Sequence, residues 1–332
     1  MSGISKEDNE NKEITGEQLL QQDIQALPCL IEPFFQQIGI ACLAGSSDTG
    51  KSTLLRQLTI AIVTGENEFL GFKINAINRS VIYVSTEDLE PETAYILKKQ
   101  ASKYKPELLR ELRFLFDITD LLMELEKRLT AKPADLVIID CFADIFGKNL
   151  NDTQHIRSFL HPYQQLAQKH KCLIIFLHHT GKRTEDKEPN KNNLLGGQGF
   201  EAKMRMVIEL KADQMNPSLR HLCIVKGNYL SANYKNESFV LQFDEQTFTF
   251  RNTGERIPFD FLGKKESDSG EKSKFLKAKE LKEQGVTYND IAIQLGYGSK
   301  GSITKLLDRG KKNGWDNSVS IGNNGNGQET PI

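Results

Sequence analysis

The sequence predicts an α/β domain built on a mostly parallel sheet between helix layers, with an antiparallel extension at one sheet edge and a small all-α unit after it. Three observations carry that expectation. Short runs of nearly continuous Ile, Leu and Val alternate with longer helical patterns, and a strand that is apolar on both sides must have both faces covered. A glycine-rich turn joins the first of these runs to a helix. After Phe261 the stretch GKKESDSGEKSK holds no apolar residue and separates the α/β pattern from a short basic segment with helical spacing.

At 332 residues the chain exceeds one ordinary domain. It is 38% hydrophobic and 26% charged, enough to bury a sizeable core. Lys and Arg number 43 against 44 Asp and Glu, so no whole-molecule field draws the chain to nucleic acid or membrane, and any such affinity is local. Five cysteines without C-x-x-C spacing give neither a disulfide framework nor a zinc motif. No apolar window is long enough to span a bilayer and the start carries no apolar leader, so the expectation is a cytoplasmic protein with no membrane partner.

Residues 1–25 are polar and read as a flexible arm. The α/β domain is expected over 26–261. Its strands are IGIACLA at 38–44, SVIYVS at 80–85, RFLFDI at 113–118, DLVIID at 135–140 and CLIIFLHH at 172–179. MRMVIEL, HLCIVKGN and SFVLQFDEQTFTF follow with little room for helices between them, and are expected as the antiparallel extension. A linker over 262–273 leads to a unit at 274–315. There FLKAKELKEQ ends at Gly285, Thr287 with Asp290 resembles a capping box, DIAIQLG is a short helix, and SITKLLDRGKK is a basic one. That order is the order of a helix-turn-helix. Residues 272–312 carry ten Lys or Arg against four Asp or Glu, a local footprint for phosphate contact. Residues 316–332 read as a disordered tail.

Gly45-Ser46-Ser47-Asp48-Thr49-Gly50-Lys51-Ser52 matches G-x-x-x-x-G-K-[ST] between the strand IGIACLA and the helical run that begins at Thr53. A phosphate chain needs a loop whose backbone N–H groups converge, hence the glycines, and a helix N-terminus whose dipole faces the anion. Lys51 would reach the terminal phosphates of ATP and the Ser52 hydroxyl would ligate Mg²⁺. Asp140, at the tip of DLVIID, stands where a second Mg²⁺ ligand belongs. Glu87, beside Asp88, follows the strand SVIYVS; it could polarise an attacking water, or either acid could cap the helix near Pro91. His178 and His179 are adjacent on a strand and point to opposite faces, so at most one reaches the phosphates. His179 is the chosen sensor, with a core or edge histidine as the alternative.

GSSDTGKS, VIYVSTED, LVIIDCFADIFGKNLND and IIFLHHTGK, in that order and spacing, resemble the RecA-like ATPases of the RepA type, the hexameric helicases and related ATPases of plasmids, phages and mobile elements. The resemblance covers roughly residues 27–255. It implies Lys51 as the Walker A lysine, Ser52 and Asp140 as the Mg²⁺ residues, Glu87 as the catalytic glutamate, and a homo-hexameric ring with ATP at subunit interfaces. A neighbouring subunit would then supply a cation to the γ-phosphate, for which the candidates are Lys226, Arg205 and Arg220, although Asn228 replaces the arginine that related helicases carry after the lysine. Lys226 and Arg205 could equally be solvated strand-edge charges. The loops FADIFGKNLND and GKRTEDKEPNKNNLLGGQG, the second expected to be mobile, correspond to the single-strand-binding loops of such rings. Ser299, Lys300, Ser302 and Lys305 would start the recognition helix on duplex DNA. The implied function is an ATP-hydrolysing motor acting on DNA in replication or mobilisation. The alternatives are an ATP-gated DNA-binding regulator or partitioning factor without helicase activity, and a protein-remodelling ATPase.

Overall fold

The computed structural model describes residues 13–263, 268–297, 299–312 and 314–315. The tail at 316–332, the first twelve residues of the expected arm and residues 264–267 of the expected linker lie outside the described residues. The chain divides into two compact units, Met1–Leu262 and Gly263–Ile332.

In the larger unit the described part of the arm is not featureless: α1 (Gly16–Leu20) is closed by a capping box in which Thr15 and Gln18 bond each other's backbone N–H, and none of its residues is buried. The sheet has nine strands: β1 (Gly39–Gly45), β2 (Val81–Ser85), β3 (Leu112–Leu115), β4 (Leu136–Asp140), β5 (Leu173–His179), β6 (Met206–Ala212), β7 (Leu219–Gly227), β8 (Glu237–Asp244) and β9 (Thr249–Pro258). Their spatial order is β9-β8-β7-β6-β1-β5-β4-β2-β3. Strands β6 through β3 in that order pair parallel, and β6 through β9 pair antiparallel. The helices α2 (Lys51–Thr64), α3 (Glu90–Gln100), α4 (Leu121–Ala131), α5 (Phe142–Phe146), α6 (Thr153–Lys169) and α7 (Gly197–Lys203) connect the parallel strands.

The sequence places MRMVIEL in the antiparallel extension, and the structure corrects this: β6 pairs parallel with β1, Met206 opposite Ala41. The connection over 180–205 is long enough for a parallel crossover and carries α7, which the glycine-rich GGQGFEAK did not announce as helix. SFVLQFDEQTFTF forms the antiparallel hairpin β8–β9.

The two-residue period of the strands sorts the core into two layers. Ala41, Leu43, Tyr83, Ile138 and Ile175 face the cluster that includes Leu54, Leu55 and Leu58 of α2. Cys42, Ile82, Ile139, Ile174 and Phe176 face the other, with Leu125 of α4 and Leu160 of α6. Because both faces are covered, the runs are continuously apolar. The same alternation decides which side each strand tip serves.

The smaller unit packs α8 (Asp268–Glu283), α9 (Tyr288–Gln294) and α10 (Lys300–Lys312) around Phe275, Ile291, Ile303, Leu306 and Trp315. Thr287 caps α9, accepting the Asp290 N–H at 3.3 Å and donating to its carboxylate at 2.6 Å. Helix α8 starts seven residues before Phe275, inside the stretch expected as linker: Lys and Glu propagate a helix well once its apolar end is anchored.

Candidate nucleotide site

The loop between β1 and α2 takes its shape from two glycines. A Cβ at Gly45 would come within 2.4 Å of the Leu210 carbonyl oxygen, and Gly50 sits at φ +87° with the Phe250 ring 2.8 Å from where its Cβ would be. Helix α2 then starts at Lys51, its N-terminal N–H groups facing the turn. Lys51 is buried and donates to the Ser46 carbonyl at 2.7 Å, as does the Thr49 hydroxyl at 3.0 Å. Burial pulls the Lys51 ammonium below its ordinary pKa, and the carboxylates of Asp140 and Glu87 oppose that shift. The loop opens on a cleft of about 600 Å³ lined by Ser47, Asp48, Lys51, Ser52, Glu87 and His179. Gly45, Ser46 and Thr49 shape the loop from behind; Gly50 and Thr53 border the cleft at the helix start.

Asp140 ends β4 beside β2, on the α2 side, and is 3% exposed. The Tyr83 hydroxyl donates to its Oδ2 at 2.6 Å, while Oδ1 is buried with no hydrogen-bond partner. Burial raises the pKa of this carboxyl; hydrogen bonding by Tyr83 and Ser52 opposes the shift. An acid with an orphaned oxygen beside a serine hydroxyl is a donor set that fits a hard divalent cation such as Mg²⁺. Arg56 of α2, fully buried, lies over the Tyr83 ring and bonds Asp88 at 2.8 Å. Asp88 is thereby held on α2, and Glu87 is left facing the cleft, its side chain 50% exposed. Thr86 fastens the tips of β2 and β4: its N–H donates to the Asp140 carbonyl at 2.7 Å and its hydroxyl accepts the Cys141 N–H at 2.9 Å.

The adjacent histidines separate as the strand period requires. His178 is buried, meets Phe142 edge to face and Phe200 at a tilt, and donates from Nε2 to the Leu195 carbonyl at 2.8 Å; burial pushes its pKa down to about 4. His179 lines the cleft with Nε2 3.6 Å from Glu87 Oε1. Lys51, Ser52, Glu87, Asp140 and His179 therefore converge on one place.

Of the three candidate cations, only Arg220 reaches that place. Arg220 reaches its own phosphate loop, donating from Nε to the Thr49 carbonyl at 3.0 Å and lining the cleft. Arg205 and Lys226 stand at the opposite end of the parallel sheet, where β6 begins and β7 ends, separated from the loop by the length of a seven-residue strand, about 20 Å. Lys226 is paired with Glu201 at 2.8 Å.

Sequence reading missed the wall opposite the loop. Phe243, Phe248 and Phe250, from β8, β9 and the turn between them, line the cleft. Gln57 of α2 holds Phe250 as a strand would, donating to its carbonyl at 2.9 Å and accepting its N–H at 2.7 Å. Gln100 bonds the carbonyls of Thr53 and Phe248 at 2.9 and 2.8 Å. The apolar alternation in FVLQF and FTF was the available signal, read as strand in the antiparallel extension.

The two loops expected on DNA are anchored and adjacent. FADIF is α5, with Phe142 and Phe146 buried, and the long loop expected to be mobile is tied by Asn193, which is buried and donates to Glu209 at 3.2 Å, and by pairing of Thr180 with Leu194. A Cβ at Gly196 would meet the Leu150 carbonyl oxygen at 2.3 Å, so the loops pack directly. In the smaller unit Ser299, Lys300 and Lys305 are exposed at the start of α10, and Ser302 is half-buried.

A model of the AAA domain family matches residues 10–185. Among solved structures, that of another protein's ATPase domain superposes with a TM-score of 0.50 at 14% identity, covering 66% of this chain and 86% of that one, a likeness of fold. No curated relative matches the sequence. Among the described residues no helix is long and apolar enough to cross a membrane.

Proposed function

The chain belongs to the AAA domain family, and from that premise we propose that it is an ATP-hydrolysing motor of the RepA-type helicase kind that acts on DNA as a homo-hexamer. The observation that carries the reading is that Lys51, Ser52, Glu87 and His179 line one cleft at the C-terminal ends of β1, β2, β4 and β5, with Asp140 buried beside Ser52. Lys51 exchanges its bond to the Ser46 carbonyl for the terminal phosphates. Ser52 and Asp140 hold Mg²⁺, which supplies charge neutralisation on the β- and γ-phosphates when bound. Glu87 orients the attacking water and receives its proton, and His179 reads the terminal phosphate from the other side of that carboxylate. The base stacks against the Phe243, Phe248 and Phe250 wall.

Ring assembly is supported by where the remaining cations lie. Arg205 and Lys226 are at the wrong end of the sheet for their own cleft, so either acts on a phosphate only through a second copy. The adjacent loops after β4 and β5 are the segments offered to single-stranded DNA, and Lys300, Ser302 and Lys305 of α10 the groups offered to a duplex.

The test is steady-state ATP hydrolysis with and without single-stranded DNA at two salt concentrations. A large, salt-sensitive stimulation is expected. The basic three-helix unit favours a second reading, an ATP-gated regulator or partitioning factor: slow hydrolysis indifferent to single strands, with duplex binding lost on removal of residues 264–332, would replace the first by the second.

A further inference from the structure

Cys141, the residue after Asp140, has its thiol aimed at Glu87: Sγ donates to Oε1 at 3.2 Å. His179 Nε2 approaches the same oxygen at 3.6 Å, and the three ligand atoms all lie within 4.8 Å of one another. A tetrahedral Zn²⁺ bound by sulfur, nitrogen and oxygen at about 2.0 to 2.3 Å separates its ligand atoms by roughly 3.3 to 3.8 Å. Those two separations lie close to that span, the third pair lies within 4.8 Å, and three protein ligands leave one position open. Cys141 is buried while Glu87 and His179 line the cleft, so the open position faces the cleft.

We propose that Glu87, Cys141 and His179 form a binding site for a soft or borderline divalent cation of the zinc class, distinct from the oxygen ligands Ser52 and Asp140, and that occupying it silences hydrolysis by taking the carboxylate of Glu87. Spacing in the sequence gives no hint of it, because the ligands come from the tips of three strands separated by 54 and 38 residues. The thiol loses its proton to solvent on coordination, as ligated thiols do; no electron is transferred. Among the described residues the other cysteines form no such cluster: Cys42, Cys172 and Cys223 are buried at 0% exposure in the sheet layers, and the Cys29 thiol donates to the carbonyls of Leu27 and Pro33. Hard Mg²⁺ does not compete for a thiolate, so both cations bind at once.

Metal binding is independent of the proposed reaction and is read on the full chain without nucleotide. Co²⁺ is the spectroscopic probe: one equivalent is expected to give a near-ultraviolet thiolate-to-cobalt charge-transfer band, displaced by Zn²⁺ and unaffected by millimolar Mg²⁺. Cys141→Ser is expected to abolish the band and weaken Zn²⁺ binding at least tenfold; His179→Asn, at a cleft-facing and partly exposed position, keeps the thiolate and weakens binding about tenfold. Absence of the band in the parent protein, its persistence in Cys141→Ser, or its removal by Mg²⁺ would each overturn the site. If the band behaves as expected but bound Zn²⁺ leaves ATP turnover unchanged, the silencing role falls, and with it the role of Glu87.

Discussion

Tyr83 donates from its phenol to Oδ2 of Asp140 at 2.6 Å, and both side chains are buried between β2, β4 and helix α2. This bond holds one oxygen of a carboxylate whose other oxygen is orphaned. Tyr83→Phe keeps the ring and removes the donor; a hydrogen bond to an ionised group is worth about 1.5 to 3 kcal/mol. The pKa of the Asp140 carboxyl, already raised by burial, moves further up, so the folded state holds its proton over a wider range. A raised carboxyl pKa makes stability fall as pH rises through it. Thermal melts across pH 4 to 8 are expected to show the variant losing most at the upper end and little at the lower, and an equal loss at both ends would remove the bond from the account.

His178 predicts acid sensitivity of opposite sign. Its pKa of about 4 in the fold lies below the ordinary value of 6.5, so the unfolded chain takes up the proton first as pH falls. Stability attributable to the neutral ring is complete above 6.5 and lost progressively down to about 4, by roughly 3 kcal/mol at the most. His178→Gln, which has an amide to reach the Leu195 carbonyl and no proton to gain, is expected to flatten that part of the melting profile relative to the parent chain. A profile unchanged by the substitution would assign the acid loss to other groups.

Much of this site was legible because it is local. Gly45 to Ser52 carry their chemistry in consecutive residues, and strand alternation alone separates His178 from His179. Asp140 and Glu87 could be placed at strand tips, but which oxygen is buried depends on Tyr83 and Arg56, which meet them only through the sheet register and the packing of α2. The place of Arg220 beside Thr49 was hidden for the same reason: it is set by β6 pairing parallel to β1 and β7 returning antiparallel. The Phe243, Phe248 and Phe250 wall reads as ordinary core until the hairpin is folded over Gly50.

Lys51→Ala and Glu87→Gln separate binding from chemistry. Lys51 is buried, but its hydrogen bond runs to the loop's own Ser46 carbonyl rather than to a sheet or helix element, so its loss is expected to leave the fold intact while abolishing hydrolysis. Glu87→Gln preserves shape in a half-exposed position and is expected to retain ATP binding with turnover reduced at least a hundredfold. Nucleotide titration alongside steady-state rates reads both, and retained turnover in the lysine variant would sink the loop assignment.

Gln57 tests the aromatic wall. Its amide makes two hydrogen bonds to the backbone of Phe250, which in turn rests over Gly50, so it positions the wall without touching any phosphate-facing group. Gln57→Ala leaves a partly buried N–H and C=O unpaired, at a cost of about 1 to 3 kcal/mol. If the wall holds the base, the loosened hairpin weakens the stacking that contributes about 1 to 3 kcal/mol per base, and the Kd for ATP rises between fivefold and a hundredfold. Because Lys51, Glu87 and Asp140 are untouched, kcat at saturating nucleotide is expected within about threefold of the parent. The same variant should discriminate less between ATP and inorganic triphosphate as competitors, since only the former uses the wall. A fall in kcat at unchanged affinity would instead mean that the hairpin acts through α2 on the phosphate loop, and the aromatic wall would be packing rather than a base site.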